Sequence, residues 1–243
     1  MNGKIKVIDN TFIAGTTKSI FIDGTSQNLH EYLNIENGGL SVTSKYHNKT
    51  FLFLGDSITS NGYPILVAKY FNANLINKAS SGGDSVRMRN ICQGLEGYEK
   101  PDYSNIDYVF IMIGHNCDGI YGLGNSKLSD IPTDTTNFVD YPNGFYCDVA
   151  SCIEFIWNEK SSIEIFLITP IQSTDGRYSF TTPLAQVALK EIGNMYALPV
   201  IDIYGISGIC KRNINTYTTD TIHPNELGRQ KIANKIIGQM LSY

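Results

Sequence analysis

The chain has 243 residues, 42% of them hydrophobic and 17% charged, with 22 Gly and 8 Pro. That is a globular composition and excludes a disordered or collagen-like chain; a chain of this length can bury roughly 70% of its extended surface without staples. The 19 Lys and Arg against 23 Asp and Glu give a net charge of −4 with both signs scattered, so the clustered positive face that phosphate backbones require is missing and nucleic acid is not an expected partner.

From Met1 to about Asn48 the pattern is short alternation. Lys4 to Val7, Ser19 to Asp23 and Leu40 to Thr43 read as short strands, separated by glycine-containing turns such as Asp23-Gly24-Thr25 and Asn37-Gly38-Gly39. This stretch, residues 1–48, is predicted to be a β-rich N-terminal arm. It has too few apolar residues for a core of its own, so it is expected to pack on the main domain or, in a homo-oligomer, on another subunit. Asp9, Asn10 and Lys18 interrupt the region where a secretory signal would carry its apolar centre, so no signal peptide is expected.

From residue 49 to 243 the periodicity changes. Phe51 to Leu54, Leu75-Ile76, Tyr108 to Ile113, Ile163 to Ile168 and Val200 to Ile203 are mostly continuous apolar runs, as suits strands covered on both faces of a parallel sheet. The longest, Tyr108 to Ile113, has six residues, far from the roughly 20 that span a bilayer; a soluble chain is expected, and an extracellular or virion-associated setting is compatible with the arm. Helical spacing lies between the runs. Ile65, Leu66, Lys69 and Tyr70 belong to one helix, and Val149, Ile153, Ile156 and Trp157 to another. A third is predicted to start with Thr182 as N-cap and Pro183 at the first helical position, burying Leu184, Val187, Ala188, Ile192 and Met195. The last follows His223-Pro224 and aligns Ile232, Ile236 and Met240. Strand and helix in alternation predict a three-layer α/β/α domain, with ligands bound beyond the carboxyl ends of the strands. Residues 118 to 144 form a connection too long to be a plain turn, and such loops are commonly functional or mobile.

Four clusters lie where such a fold puts its site: Gly55-Asp56-Ser57-Ile58-Thr59, Asn77 to Gly83, Gly114-His115-Asn116-Cys117 and Asp220-Thr221-Ile222-His223. Ser57 sits between a strand and a helical segment, where backbone N–H groups favour a developing negative charge. A serine hydroxyl needs a base to become a nucleophile. His223 is the candidate, with Asp220 three residues earlier to fix its tautomer. A tetrahedral oxyanion needs about two or three donors; the Ser57 N–H, the Gly82 N–H and the Asn116 amide are proposed. The five Cys residues (92, 117, 147, 152 and 210) are odd in number and show no CxxC pair, which argues against a disulfide framework or a thiolate zinc site.

In order and approximate spacing these clusters resemble the four blocks of the SGNH hydrolase superfamily, the GDSL-type esterases and lipases. The resemblance implies a flavodoxin-like α/β/α sandwich with a five-stranded parallel sheet, a carboxylic ester hydrolase (carboxylesterase or acetylesterase), and no metal or other cofactor. It implies Ser57 as nucleophile and oxyanion donor, Gly82 and Asn116 completing the oxyanion hole, His223 as base and Asp220 as its orienting acid. Two positions depart from the pattern: Ala79 stands where the second block usually has Gly, and Cys117 where Asp usually follows Asn. The expected partner is a small-molecule or glycan ester carrying a short acyl group such as acetyl, with Asp56, His115, Tyr121 and Tyr141 as substrate-side candidates. The competing reading is a carbohydrate-binding or phage-tail-type adhesion module with a vestigial site. A metallophosphoesterase would need an early Asp-x-His and a second histidine cluster to bridge two metals, which the sequence lacks, and an α/β-hydrolase elbow would require Gly where Thr59 stands.

Overall fold

The computed structural model describes residues 33–36, 39–42, 44–118 and 122–243. It divides into two compact units, Met1–His47 and Asn48–Tyr243. In the first, β1 (Leu33–Glu36) and β2 (Gly39–Val42) pair antiparallel. The strands expected at Lys4 to Val7 and Ser19 to Asp23 lie outside the described residues.

The second unit is built on the five apolar runs. β3 (Thr50–Gly55), β4 (Asn74–Asn77), β5 (Tyr108–Met112), β6 (Glu164–Ile168) and β7 (Val200–Ile201) form one parallel sheet in the order β4-β3-β5-β6-β7. Counted within the sheet this is 2-1-3-4-5, the flavodoxin-like order. The central strands are buried on both faces because each face has its own cover. Leu52, Leu54, Val109, Ile111, Ile165 and Leu167 join a largely aliphatic core with α3 (Ser85–Gln93), α4 (Phe145–Glu159) and α5 (Tyr178–Met195). On the alternate positions Phe53, Phe110 and Phe166 stack across the strands, with centroids 4.6 and 5.2 Å apart. Tyr63 of α2 (Tyr63–Tyr70) and Tyr243, just past the last helix (Glu226–Met240), close edge-on over that aromatic row. Period-two alternation thus separates an aliphatic face from an aromatic one.

Two elements differ from the sequence reading. Helix α5 begins at Tyr178, not at Thr182: the Thr182 hydroxyl bonds back to the Tyr178 carbonyl (2.8 Å) inside the helix, and Pro183 sits in its second turn. Val187 and Met195, expected in the core, are each 49% exposed, while Ala188 and Ile192 are buried. Helix α3 went unread, although Asp84 caps it by accepting from the Arg87 N–H (2.9 Å) and Met88, Ile91 and Cys92 form its buried stripe. Arg87, Arg89 and Asn90 in its middle break the apolar run that a longer helix would show.

Candidate active site

The sheet reverses its strand order between β3 and β5, and α/β sheets bind ligands in the crevice beyond the carboxyl ends of the strands at that point. The first and third clusters follow these two strands, which pair in register from Phe51 with Tyr108 to Gly55 with Met112. Gly55 allows this proximity: a Cβ there would meet the Met112 carbonyl at 2.2 Å. Beyond it Asp56 caps the short α1 (Ser57–Ser60) by accepting from the Ile58 N–H at 2.9 Å, which sets Ser57 at the turn from strand to helix.

The four clusters are tied together by hydrogen bonds between residues far apart in the chain. His223 Nε2 lies 2.9 Å from Ser57 Oγ, across 166 residues of sequence. On the other side of the ring His223 Nδ1 lies 2.6 Å from Asp220 Oδ2. The Ser80 N–H donates to the Gly55 carbonyl (2.9 Å) and the Asn77 amide to the Thr59 carbonyl (3.2 Å), joining the second cluster to the first. The Asn116 amide donates to the Gly83 carbonyl (3.1 Å), joining the third to the second. Gly82 is exposed, takes a left-handed φ of +68° and has open space where a Cβ would sit. That suits a main chain which a ligand approaches closely.

Electrostatics favour an ionised Asp220. Burial, acting alone, would raise its carboxyl. The His223 N–H (2.7 Å), the His223 ring and the Ile222 N–H (3.1 Å) outweigh it and hold the group below the usual carboxylate range. Such an acid keeps the imidazole in one tautomer, with Nε2 facing the serine able to accept a proton. Between Asp220 and His223, Thr221 adopts φ +65°, uncommon for a β-branched residue, with its carbonyl held by the Ser173 hydroxyl at 3.1 Å. Nothing in the sequence around Ser173 signals that contact, because it is set by the loop after β6.

The substrate-side candidates turn out differently. Asp56 is fully buried and His115 is 1% exposed, and they face each other, with Nδ1 3.3 Å from Oδ2. The Asp56 carboxylate also faces the His115 N–H at 3.4 Å. One oxygen is taken up by the turn that carries Ser57 and the other by His115, so Asp56 supports that turn and is not a surface for ligand. Tyr141 is 4% exposed and packed in the aliphatic core, and Phe138 meets Phe155 edge-on at 5.8 Å. Tyr121 lies outside the described residues. Burial pushes the Cys117 thiol well above its ordinary pKa, which removes the thiolate a second nucleophile would need. Behind the second cluster sits a group the sequence reading missed: Asp148 accepts from the Ser85 hydroxyl (2.6 Å) and pairs with Arg89 (3.1 Å), which itself donates to the Tyr141 carbonyl (3.1 Å). A buried arginine and aspartate one helix apart carry no local pattern that announces a pair.

Among the described residues no group of three or more His, Cys, Asp or Glu side chains is arranged to hold a metal ion, and no helix is long and apolar enough to cross a membrane.

A doubly wound parallel sheet with a hydroxyl, an imidazole and a carboxylate aligned at its switch point defines a serine hydrolase of the three-layer α/β/α class. The profile of the GDSL-like Lipase/Acylhydrolase family matches residues 53–231, a span that includes Ser57, Gly82, Asn116, Asp220 and His223. The chain belongs to that family and is a serine ester hydrolase. Among solved structures it is similar to a lipase/acylhydrolase from Enterococcus faecalis, with 18% identity over 80% of this chain and 96% of that one and a TM-score of 0.57. It is also similar to a possible lipase from Chitinophaga pinensis, with 20% identity over 79% and 98% and a TM-score of 0.62. A member of the lipolytic protein G-D-S-L family from Veillonella parvula matches with 19% identity over 78% and 97% and a TM-score of 0.52. At these identities the likeness is one of fold. No curated protein sequence matches the chain significantly.

Proposed function

We propose that the protein removes short acyl groups, such as acetyl, from a carbohydrate hydroxyl through an acyl-enzyme on Ser57. The observation that carries this reading is the continuous relay from Ser57 Oγ to His223 Nε2 (2.9 Å) and from His223 Nδ1 to Asp220 Oδ2 (2.6 Å). As Oγ bonds to the ester carbonyl carbon, its proton passes to Nε2 and the carbonyl becomes an oxyanion. The N–H groups of Ser57 and Gly82 and the side-chain amide of Asn116 receive that charge. Asn116 has two amide hydrogens, so its bond to the Gly83 carbonyl leaves one for the substrate. The imidazolium proton then goes to the departing sugar oxygen as the ester C–O bond breaks. Water, deprotonated by His223, releases the acid and restores Ser57.

A short acyl group is supported by residues 122–144, which form brief 3-10 turns at Leu123–Asn125, Leu128–Asp130 and Thr135–Asp140 rather than an apolar helix able to cover a fatty chain. Rates on p-nitrophenyl esters of increasing chain length test the proposal. Turnover is expected to be highest for acetate, to fall by roughly 10⁴-fold or more in Ser57→Ala and by about 10² to 10³ in Asn116→Ala. Substantial activity of folded Ser57→Ala would refute the nucleophile, and a preference for long-chain esters would refute the short acyl group.

A further inference from the structure

One wall of a cavity of about 410 Å³ is formed by the same loop that carries Gly82. Its lining includes Lys78, Ser80, Ser81, Ile91, Tyr98 and Glu99. Ser80 is bonded through its N–H to Gly55, two residues before Ser57, and Ser81 directly precedes Gly82. The cavity therefore abuts the loop proposed to bind the oxyanion.

Its chemistry is specific. Lys78 and Glu99 form an ion pair at 3.1 Å, so the cationic and anionic groups of the lining neutralise each other and offer donors and acceptors side by side. Two serine hydroxyls add further polar groups, and Tyr98, 39% exposed, adds an aromatic face. An anionic phosphate headgroup finds no unbalanced positive charge here, and an acyl tail would meet the Lys78–Glu99 ion pair and two serines beside Ala79, Ile91 and Tyr98. A neutral ring bearing hydroxyls on its edge and C–H groups on its face suits this mixture of polar and apolar groups. We infer that this cavity is the subsite for the alcohol half of the substrate and that it takes a sugar residue, stacked on Tyr98 with its hydroxyls on Lys78, Glu99 and the serines.

The inference rests on the esterase reading and deepens it. The test compares kcat/KM for an acetylated xylo-oligosaccharide with kcat/KM for p-nitrophenyl acetate, which has no sugar, in the wild type, Tyr98→Ala and Tyr98→Phe. The ratio of glycan ester to p-nitrophenyl acetate is expected to fall about three- to tenfold in Tyr98→Ala, the range an aromatic contact supplies, through a higher KM, and to return in Tyr98→Phe. An unchanged ratio in Tyr98→Ala overturns the subsite while leaving the esterase intact, as does a wild type that cleaves p-nitrophenyl acetate but no acetylated sugar. A wild type that hydrolyses neither ester overturns the esterase reading itself, and the subsite with it. Unacetylated xylo-oligosaccharide added as a competitor is expected to inhibit p-nitrophenyl acetate hydrolysis by the wild type more strongly than by Tyr98→Ala; equal inhibition counts against the subsite.

Discussion

Replacing Asp220 by Ala and by Asn separates two contributions that the carboxylate is proposed to make to His223. The first is electrostatic: the imidazolium formed during attack lies beside a negative charge. With about 4 Å between charge centres the attraction is about 1 kcal/mol in water and about 4 kcal/mol at an effective dielectric of 20. The Asp220 and His223 side chains are 49% and 33% exposed, so the pair falls between these limits. At about 1.36 kcal/mol per decade of rate, Asp220→Ala is expected to lower kcat by roughly five- to 10³-fold. The second contribution is the tautomer. Asp220 Oδ1 accepts from the N–H groups of Ile222 and His223 at 3.1 and 2.7 Å. Those two donors would keep the Asn oxygen in the same place and turn its NH2 toward Nδ1. The ring would then carry its proton on Nε2 and could not take one from Ser57. Asp220→Asn should therefore be worse than Asp220→Ala, approaching the loss of about 10⁴ that this substitution causes in a serine-protease triad. Initial rates with p-nitrophenyl acetate, on variants shown by circular dichroism to be folded, give the comparison. If Asn is as active as Ala or more so, the tautomer argument fails.

The core and the buried charges supply further tests. Phe110 is fully buried in the central strand and stacked between Phe53 and Phe166; Phe110→Ala is expected to cost about 3 to 5 kcal/mol, read as a lower urea midpoint with an unchanged slope. Burial, against the opposing pull of Ser85 and Arg89, raises the Asp148 carboxyl to about 6. An acid whose folded value is raised stabilises the fold most below its unfolded value, about 3.9, and that contribution is lost as pH rises through about 6. Thermal melts from pH 4 to 6.5 should show this downward component in the wild type and not in Asp148→Asn; identical pH slopes for the two proteins would refute it.

The run Phe51 to Leu54 and its four counterparts announce a parallel sheet, because being covered on both faces is a demand each strand meets with its own residues. Aspartate and histidine three apart, and serine just past a strand, are equally local signals, and so the four clusters could be picked out in order. Other features depended on residues distant in sequence. That His223 rather than His115 serves Ser57 follows from packing: the last helix, which begins just after the fourth cluster, lies against α2, with Arg229 donating to the Asn61 carbonyl at 3.0 Å, while His115 turns to Asp56. Asp56 and His115 look like substrate ligands as a string of letters, yet packing turns them inward to satisfy one another. Helix α5 begins one turn before the Thr182-Pro183 start signal because tertiary contacts at Ala185 and Leu189 outweigh a local preference. Periodicity and turn chemistry are written residue by residue; pairing partners, and which polar group a fold chooses to bury, are decided only when the layers close.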